Sequence, residues 1–386
     1  MANLKILHLL SNWKWTEISE PAVELALAQK KLGAEVEFVC GRGPGKQPDR
    51  SVAYNARLKD LDPVHVLNMP KHFNIFSTFL DCLKLRQLLK QFKPSIIHCH
   101  KGNAHLTGVL SRGVPKPPVI VRSIYDPEGR DRDIIDNLLY KFGTDGLLVL
   151  NEKSRKAAIG RDRFAAERVQ VAEPGIDLAR FSPWRKISDD SEFSGLKANL
   201  FVIGIVTRIR DGRRLDIPLK ALAALAPTHP QLRMLLVGRG REGAVEAVVE
   251  KPAREMKIFD RIVMPGYCSS DSLVAAYRAM DVLVYPTPGS DKSCRTVREA
   301  MAAGVPVIAS EIGFLPELIE DHITGRLTAF SWESLADILK ELMQDKKKLV
   351  DMGRRALDCA ARRFAPDLQA RKTLDFYQRL IDSREA

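Results

Sequence analysis

The sequence predicts an α/β protein with two Rossmann-like domains that face each other across a cleft, and three observations support this fold class. Short runs of Val, Ile and Leu alternate with helical patterns along the whole chain. Such alternation is typical of parallel sheets covered by helices on both faces. The pattern starts afresh near residue 200, and 386 residues are enough for two domains of about 180 residues each.

The first half contains strands and helices in turn, beginning with the strand LKILHLL. The helical pattern PAVELALAQKKLG follows and ends at Gly33, a residue suited to a helix C-terminus. The remaining candidates are the strand VEFVCG, the helix STFLDCLKLRQLLKQFK, and the strands SIIHCH, PPVIVRSIY and GLLVLN.

The second half repeats the alternation with its own elements. The predicted strands are LFVIGIVTRI, LRMLLVG, DRIVMPG, DVLVYPT and VPVIAS. The predicted helices are LDIPLKALAALA, REGAVEAVVEKPARE, SSDSLVAAYRAM, TVREAMAAG and WESLADILKELMQD. Ligands of such sheets bind beyond the carboxyl ends of the strands, so the cleft between the domains is the expected site.

A polar, turn-rich segment from Pro183 to Leu196 predicts the boundary between the domains. We therefore assign residues 1–185 to an N-terminal Rossmann-like domain and residues 186–364 to a C-terminal one. Residues 365–386 are predicted to form a C-terminal helix that crosses back to the N-terminal domain.

The composition, with 45% hydrophobic and 28% charged residues, is that of a soluble globular protein. No apolar run approaches the roughly 20 residues that a membrane-spanning helix needs. The N-terminus lacks the features of a signal peptide. Six scattered cysteines without a CxxC pair are most simply reduced thiols in a cytoplasm. We expect a cytoplasmic protein.

The net charge of +12 favours anionic partners such as nucleotides, phosphorylated glycans or anionic lipid headgroups. Nucleic acid ranks low as a partner. The sequence has no zinc-finger spacing, no aromatic RNA-binding signature and no low-complexity basic arm.

Residues 73–93, FNIFSTFLDCLKLRQLLKQFK, combine apolar residues near helical spacing with basic ones. They are Phe76, Phe79, Leu80, Leu83 and Leu88, accompanied by Lys84, Arg86, Lys90 and Lys93. One interpretation is a basic amphipathic helix that lies on an anionic membrane. The ordinary interpretation is a helix that packs its apolar side on the sheet and turns a charged face outward.

Two acids, Asp291 and Glu299, flank the start of the predicted helix TVREAMAAG. The first turn of a helix offers unpaired N–H groups and a positive dipole end, which suits a diphosphate. Glu299, expected in this turn, can accept hydrogen bonds from ribose hydroxyls, and Asp291 can bind hydroxyls of a sugar beyond the phosphates. The alternative is a surface acid in a loop and a glutamate that favours a helix N-terminus.

Two cations, Arg208 and Arg213, follow the first strand of the second half in TRIRDGRR. They can stabilise a diphosphate as a leaving group, or they belong to a basic solvated loop. Further on, Gly238, Gly240 and Gly243 form a GxGxxG pattern in VGRGREG. Because this pattern lies in the middle of the domain, we expect a tight turn that lines the cleft more than a dinucleotide site.

Six segments in this order resemble those of the retaining glycosyltransferases of family 4, of the bacterial cell-envelope or lipopolysaccharide type, which have the GT-B fold. They are VAEPGIDLARFSP, TRIRDGRR, LLVGRGRE, VMPGYCSSDSLVAAYRAMDVLVYPT, DKSCRTVREAMAAGVPVIAS and GFLPELIEDHITGRL. The resemblance covers most of the chain. It implies an acceptor-side N-terminal domain and a C-terminal domain that binds a nucleotide sugar.

By this resemblance, four residues form the catalytic set. Arg208 and Arg213 would bind the donor diphosphate, and Arg213 stands where the family usually has Lys. Glu299 would bind the ribose. Asp291, in place of the first Glu of the family's Glu-x7-Glu motif, would bind hydroxyls of the donor sugar.

The loops around this set supply the other donor contacts that the resemblance implies. The base would meet Gly266 and Tyr267, and the phosphates would meet N–H groups of Arg295 and Thr296. The Arg295 side chain either adds a cation there or faces solvent. The implied donor-binding residues are Gly238, Gly240, Gly266, Tyr267, Arg295, Thr296 and Glu299.

The first half departs from the family pattern in the loop after the first strand, where SNWKWTEISE replaces the usual Gly-Gly. Trp13 and Trp15, beside Thr16, are candidates for stacking on an acceptor sugar, or they simply pack in the loop. Tyr125, with Arg122 nearby, stands about where the family often has a His. We include all five among the acceptor-side candidates.

The segment HCHKGNAH raises the question of a metal, because an HxH pair can ligate one. No acid is spaced as a third ligand, so we expect no metal. Alternation along a strand turns the rings of His98 and His100 to the same side. His98 is expected to be structural, and His100 to line the cleft as a further acceptor-side candidate.

The resemblance implies transfer of a sugar from a nucleotide sugar, UDP-linked among the candidates, to a hydroxyl of a glycan or glycolipid, with retained configuration. Lipopolysaccharide or other cell-envelope polysaccharide synthesis is the expected setting. No cofactor or metal is needed, and contact with an anionic membrane at its inner face is expected. The alternatives are a non-catalytic nucleotide-sugar-binding protein, and a sugar-nucleotide epimerase or phosphorylase of the same fold.

Overall fold

A computed structural model defines the architecture of most of the chain. The described residues are 4–16, 18–44, 50–70, 73–113, 117–125, 134–186, 193–196, 199–268, 270–285, 294–329 and 331–385.

The chain divides into two compact units, each built on a parallel sheet. Unit 1 comprises residues 1–175 and 366–386, and unit 2 comprises residues 176–365. The division falls at residue 175 instead of 185 because the segment that follows packs in unit 2. Phe181 is fully buried there, with its ring 5.8 Å from that of Tyr277.

Unit 1 has a seven-stranded parallel sheet in the order β3-β2-β1-β4-β5-β6-β7. Its strands are β1 (Lys5–Leu10), β2 (Glu35–Gly41), β3 (Val64–Leu67), β4 (Ile96–Cys99), β5 (Val119–Ile124), β6 (Gly146–Val149) and β7 (Val169–Val171). Its helices are α1 (Ser19–Lys31), α2 (Val52–Leu58), α3 (Ile75–Phe92), α4 (Gly102–Ser111), α5 (Ile134–Gly143), α6 (Glu152–Gly160) and α15 (Pro366–Glu385).

The alternation of side chains along β1 separates two hydrophobic clusters of unit 1, one on each face of the sheet. Ile6 and Leu10 pack with α1 and α15, whereas Leu7 and Leu9 pack with α3 and α4 on the other face. Side chains of one strand point alternately to the two faces, so each face of this buried sheet needs its own helical cover. Helix α15, from the end of the chain, supplies part of one cover.

A buried histidine network joins the β1 face of the sheet to these helices. His8 lies opposite His98 in the β1–β4 register. The rings of His98 and His100 lie on the same side, with centroids 4.1 Å apart and planes tilted by 38°. His8 Nδ1 lies 2.9 Å from His100 Nε2, and the other bonds reach Gln29, Ser123, Tyr125 and Tyr377 at 2.7–2.8 Å. All six ring nitrogens therefore have protein partners.

One arrangement of protons satisfies this network with neutral rings. His8 Nε2 donates to the Gln29 carbonyl, His100 Nε2 donates to His8 Nδ1, and the Tyr125 hydroxyl donates to His100 Nδ1. Burial lowers the pKa of His8 to about 4 and those of His98 and His100 well below the ordinary value. Low-dielectric surroundings disfavour the charged imidazolium, so the network is stable only when neutral.

Unit 2 has a six-stranded parallel sheet in the order β10-β9-β8-β11-β12-β13. Its strands are β8 (Phe201–Val206), β9 (Leu232–Val237), β10 (Ile262–Gly266), β11 (Val282–Tyr285), β12 (Val307–Ser310) and β13 (Gly325–Thr328). Its helices are α7 (Leu178–Phe181), α8 (Asp216–Leu225), α9 (Lys251–Glu255), α10 (Ser270–Arg278), α11 (Arg295–Ala302), α12 (Leu315–Leu318), α13 (Trp332–Gln344) and α14 (Lys346–Arg363).

Small residues let α11 pack closely in unit 2. Ala300 and Ala302 are fully buried, and the turn after the helix approaches α14 so closely that a Cβ at Gly353 would overlap the Gly304 carbonyl oxygen. This packing fixes the position of α11 at the carboxyl edge of the sheet.

The carboxyl ends of β8, β9 and β10 are joined by backbone hydrogen bonds. Gly238 N–H donates to Gly266 O (2.7 Å), and Ile209 N–H donates to Arg239 O (3.1 Å). Gly238 has φ +145°, and a Cβ there would overlap the carbonyl oxygen of Thr207. Only glycine fits this close approach of two strand ends.

All six cysteines are free and buried. Among the helices of the described residues, none combines the length and the apolar character needed to cross a membrane.

We predict that unit 1 loses stability as pH falls from about 6.5 to 4, because unfolded histidines bind protons in this range and the buried ones do not. The His8 shift alone is worth about 2 kcal/mol at pH 5. Hydrogen exchange of β1 and β4 peptides at pH 7 and 5, corrected for intrinsic rates, measures this loss. Peptides of β8 and β9 are the internal control, since His229 and His322 of unit 2 are not buried. An equal loss in both units would contradict the prediction.

We predict that Gly238→Ala destabilises unit 2 by about 3 kcal/mol or more, because the new Cβ overlaps Thr207. The matched control is Gly243→Ala, at φ +73° with no atom near its Cβ, which costs only about 1 kcal/mol of left-handed strain. Urea unfolding of both variants gives the comparison, and equal midpoints would refute the steric argument.

Candidate active site

The carboxyl edge of the unit 2 sheet collects most of the residues that the sequence assigned to the donor. Arg208 follows β8, Gly238 follows β9, and Tyr267 follows β10, while α11 follows β11. The strand order β10-β9-β8-β11 places these ends side by side. Ligands of parallel α/β sheets bind at this edge.

Arg208 and Arg213 lie on either side of a buried anchor. Ile209 is buried and pairs with Gly240 in an isolated parallel bridge. Arg208 is exposed and Arg213 is half-buried. The bridge therefore holds the loop against the end of β9, at the carboxyl edge of the sheet.

Gly266 and Tyr267 form the next part of the edge. Gly266 has φ +82°, which turns the chain out of β10. The Tyr267 ring is 64% exposed, and the Arg239 guanidinium lies over it, 4.5 Å from the ring centroid. A cation on one face of an exposed ring stabilises the orientation of that ring. Arg239 is therefore a further candidate for the site, which the sequence analysis did not identify.

Helix α11 begins one residue after a left-handed turn. Cys294, at φ 42°, is the N-cap and has no side-chain capping bond. The helix starts at Arg295, which places Glu299 in its second turn and not in the first turn as expected. Glu299 is only 3% exposed, so its carboxylate is buried and is not that of a surface acid.

Both carboxylate oxygens of Glu299 have strong donors. Tyr277 Oη donates to Oε2 at 2.8 Å, and Arg295 Nε donates to Oε1 at 2.6 Å. Burial, and then the neighbouring carboxylate, raise the pKa of Tyr277 well above its ordinary value, so the phenol keeps its proton. The Arg295 side chain is half-buried and turns toward Glu299, and the cation that it would add at the donor phosphates stays a prediction.

Thr296, in the first turn of α11, and Asp291, which precedes this helix in the sequence, are two further residues predicted to bind the donor. Within the described chain the Thr296 hydroxyl oxygen is buried and has no hydrogen-bond partner. Asp291 lies outside the described residues, so its predicted contact with a donor sugar stays a prediction.

The acceptor-side prediction for His100 is wrong. His100 is fully buried and bonded to His8 and Tyr125, so it lines no cleft. Tyr125 is 9% exposed, and Arg122 donates to Cys99 O at 3.3 Å. These three side chains stabilise the interior of unit 1.

The loop after β1 is tied to its surroundings by short bonds. Thr16 Oγ1 lies 2.8 Å from Ser19 Oγ, and the backbone of Trp13 and Trp15 pairs with Arg50 and Val52. Trp15 packs against the unit 1 core. Both indole rings are half-buried, and sugar stacking by Trp13 and Trp15 stays a prediction.

Sequence reasoning missed three residues of these constellations: His8, Tyr277 and Arg239. The pairing of His8 with His98 depends on strand order, which single-sequence periodicity does not give. Tyr277 had a signal, because YRAMD precedes a strand in a segment already compared with the family.

Two family models match the two halves of the chain. Residues 22–180 match the model described as Glycosyltransferase Family 4, and residues 186–358 match Glycosyl transferases group 1. Together they span the two units apart from the ends.

Similar proteins agree with these models. A D-inositol 3-phosphate glycosyltransferase of Mycolicibacterium vanbaalenii is 29% identical over 266 residues, which are 64% of this chain and 54% of that protein. The chain thus spans about half the length of the curated relatives it matches.

Solved structures show the same fold. A glycosyltransferase from Rickettsia africae has a TM-score of 0.82 at 16% identity and covers 99% of both chains. The HepE protein of Anabaena, in complex with UDP, has a TM-score of 0.76 at 20% identity, covering 96% of this chain and 99% of that one. The chain therefore has the GT-B fold, and its two halves are similar to glycosyltransferase domains of family 4 and of group 1.

Proposed function

We propose that this protein is a retaining glycosyltransferase that moves a sugar from a nucleoside diphosphate sugar to a hydroxyl of a glycan or glycolipid. One observation carries the proposal: in the group 1 domain, Glu299 is buried at the strand edge and held by Tyr277 and Arg295. A fixed, desolvated carboxylate at this position suits the vicinal hydroxyls of a ribose.

The chemistry follows from the charges at the strand edge. The bond between the anomeric carbon and the diphosphate oxygen breaks, and the acceptor hydroxyl attacks the anomeric carbon from the same face. Its proton passes to the leaving diphosphate. Arg208, Arg213 and the start of α11 stabilise the growing negative charge. These groups supply enough positive charge that we propose no metal requirement.

The acceptor is the less defined partner. We place it in the cell envelope, as a glycan or glycolipid of lipopolysaccharide type, because the chain's net charge of +12 favours a phosphorylated acceptor at an anionic surface. The relatives named D-inositol 3-phosphate glycosyltransferase favour a second candidate, a phosphorylated cyclitol. Assays with both acceptor classes separate these candidates.

A non-catalytic nucleotide-sugar-binding protein would share the donor site. Donor hydrolysis in the absence of acceptor distinguishes the enzyme from the binder. A phosphorylase would carry a lysine-bound pyridoxal phosphate, which the visible absorbance of the pure protein reveals, and an epimerase would convert the donor sugar without an acceptor.

Arg208→Ala is expected to reduce turnover by a factor on the order of 10²–10³, because charge stabilisation of the leaving diphosphate is lost. The fold should persist, since Arg208 is exposed. Arg210→Ala, an exposed arginine two positions away, is the matched control and should change turnover less than about threefold. Steady-state assays with the preferred donor give both values. Unchanged turnover in Arg208→Ala removes this residue from the mechanism.

Thermal shift against a panel of nucleotide sugars should identify the donor, because a ligand at 100 times its Kd stabilises the fold by about 2.7 kcal/mol. UDP is the first probe.

Glu299→Gln should weaken UDP binding by about tenfold or more, and Tyr277→Phe by about fivefold, through loss of hydrogen bonds to a charged group. Tyr54→Phe removes an exposed hydroxyl of unit 1 and should leave the affinity unchanged. If calorimetric titration shows that the unsubstituted protein and the three variants bind UDP with equal affinity, the assignment of Glu299 to the ribose is contradicted.

A further inference from the structure

Helix α3 exposes apolar side chains to solvent over its first half. Phe76 is 80% exposed and Phe79 is 63% exposed. With Leu80 and Leu83 they follow the spacing i, i+3, i+4 and i+7, which places all four within about 100° of arc on one helix face. We call the following set the α3 stripe: Phe73, Ile75, Phe76, Phe79, Leu80 and Leu83.

The α3 stripe is not needed for packing α3 on the sheet. The opposite face of the helix is buried and includes Cys82, Leu85 and Phe92. Leu85 and Phe92 belong to the core formed with β1, β4 and α4. The helix therefore packs on the sheet, as the ordinary interpretation of the sequence expected, but its outer face is apolar over the first half and not only charged.

The charges of α3 limit what can cover the stripe. The helix contains one acid, Asp81, which is fully buried and accepts N–H bonds from Asn68 and Met69 at 2.9 and 2.7 Å. Lys84 and Lys90 are exposed on the turns that follow the stripe. The outward face of α3 thus offers apolar groups and positive charges, and none of its own carboxylates.

We propose that the α3 stripe inserts into the interface of an anionic lipid bilayer, with Lys84 and Lys90 at the headgroups. Apolar insertion and attraction to anionic lipid act together on such a face. A second copy of this chain fits less well, because it presents the same cations and a chain of net charge +12 repels its own kind.

The position of the α3 stripe determines which part of unit 1 the bilayer contact would hold near the membrane. A helix between parallel strands starts near their carboxyl edge, and the Asn103 side chain, in the first turn of α4, donates to Pro70 O at 2.8 Å just before the stripe. The start of α3 therefore lies beside the loop after β4. This arrangement would bring unit 1 next to an acceptor whose lipid tail stays in the bilayer, an inference that rests on the proposed function.

Vesicle flotation with the full-length chain tests the proposal. The vesicles contain phosphatidylcholine with or without about 30 mol % phosphatidylglycerol, at low salt and at about 0.5 M salt. We expect binding that needs phosphatidylglycerol and weakens with salt. Phe76→Ser/Phe79→Ser should reduce the bound fraction at least about tenfold, and Lys84→Gln/Lys90→Gln should reduce it by a factor on the order of ten.

Trp184→Ser is the matched control, since this side chain of unit 2 is 78% exposed and should not affect binding. Circular dichroism verifies that the variants fold. No binding to phosphatidylglycerol vesicles, binding that survives Phe76→Ser/Phe79→Ser, or a dimer in solution that this variant dissociates would each overturn the proposal. UDP titration of the same samples keeps the two conclusions separate: vesicle binding without UDP binding would refute the donor assignment and leave the surface assignment intact.

Discussion

The architecture of the proposed donor site depends on one interaction, the hydrogen bonding of the buried Glu299 carboxylate. An ionised carboxylate inside a protein loses several kcal/mol of hydration unless donors replace the water. Tyr277 and Arg295 provide those donors, one from α10 and one from the same helix. Glu299 is only 3% exposed, so these donors take the place of water. A ribose that binds there meets a carboxylate whose direction is already fixed.

Unit 1 solves the problem of buried polar groups in the opposite way. His8, His98 and His100 are fully buried without a carboxylate partner. Charge would be costly there, so the rings remain neutral and bond to each other and to Tyr125 and Tyr377. A metal bound by these rings would have to displace existing partners from their nitrogens. The network instead fixes α15 to the sheet, since Tyr377 bonds to His98. The C-terminal helix is in this way part of the unit 1 core.

Sequence periodicity predicted the central strands of both parallel sheets, because these strands are short Val/Ile/Leu runs whatever their neighbours are. It missed β3, β7 and β13, which have only three or four residues and include polar ones. It could not assign the faces of α3. Apolar residues occur on both sides of this helix, at Phe76 and Phe79 and at Leu85 and Phe92, and only the sheet decides which side is buried. Periodicity also could not show that His100 is buried, because its partner His8 lies on β1 and its partner Tyr125 follows β5. The hydrogen-bond partners of Glu299, Arg295 and Tyr277, lie within 22 positions of it along the chain, and its contact with a ribose stays a prediction.

The two units differ in how far their chemistry can be inferred from relatives. Any nucleoside diphosphate presents a ribose and two phosphates, so a carboxylate, a helix start and cations at strand ends suit many donors alike. Acceptors share no such group. Two features belong to this chain's own unit 1. They are the loop after β1, where SNWKWTEISE replaces the family's usual Gly-Gly, and the exposed face of α3. If α3 lies on a bilayer, the acceptor need not be bound tightly, because confinement to the surface raises its local concentration. Acceptor choice would then depend on where unit 1 is held as well as on what its loops contact.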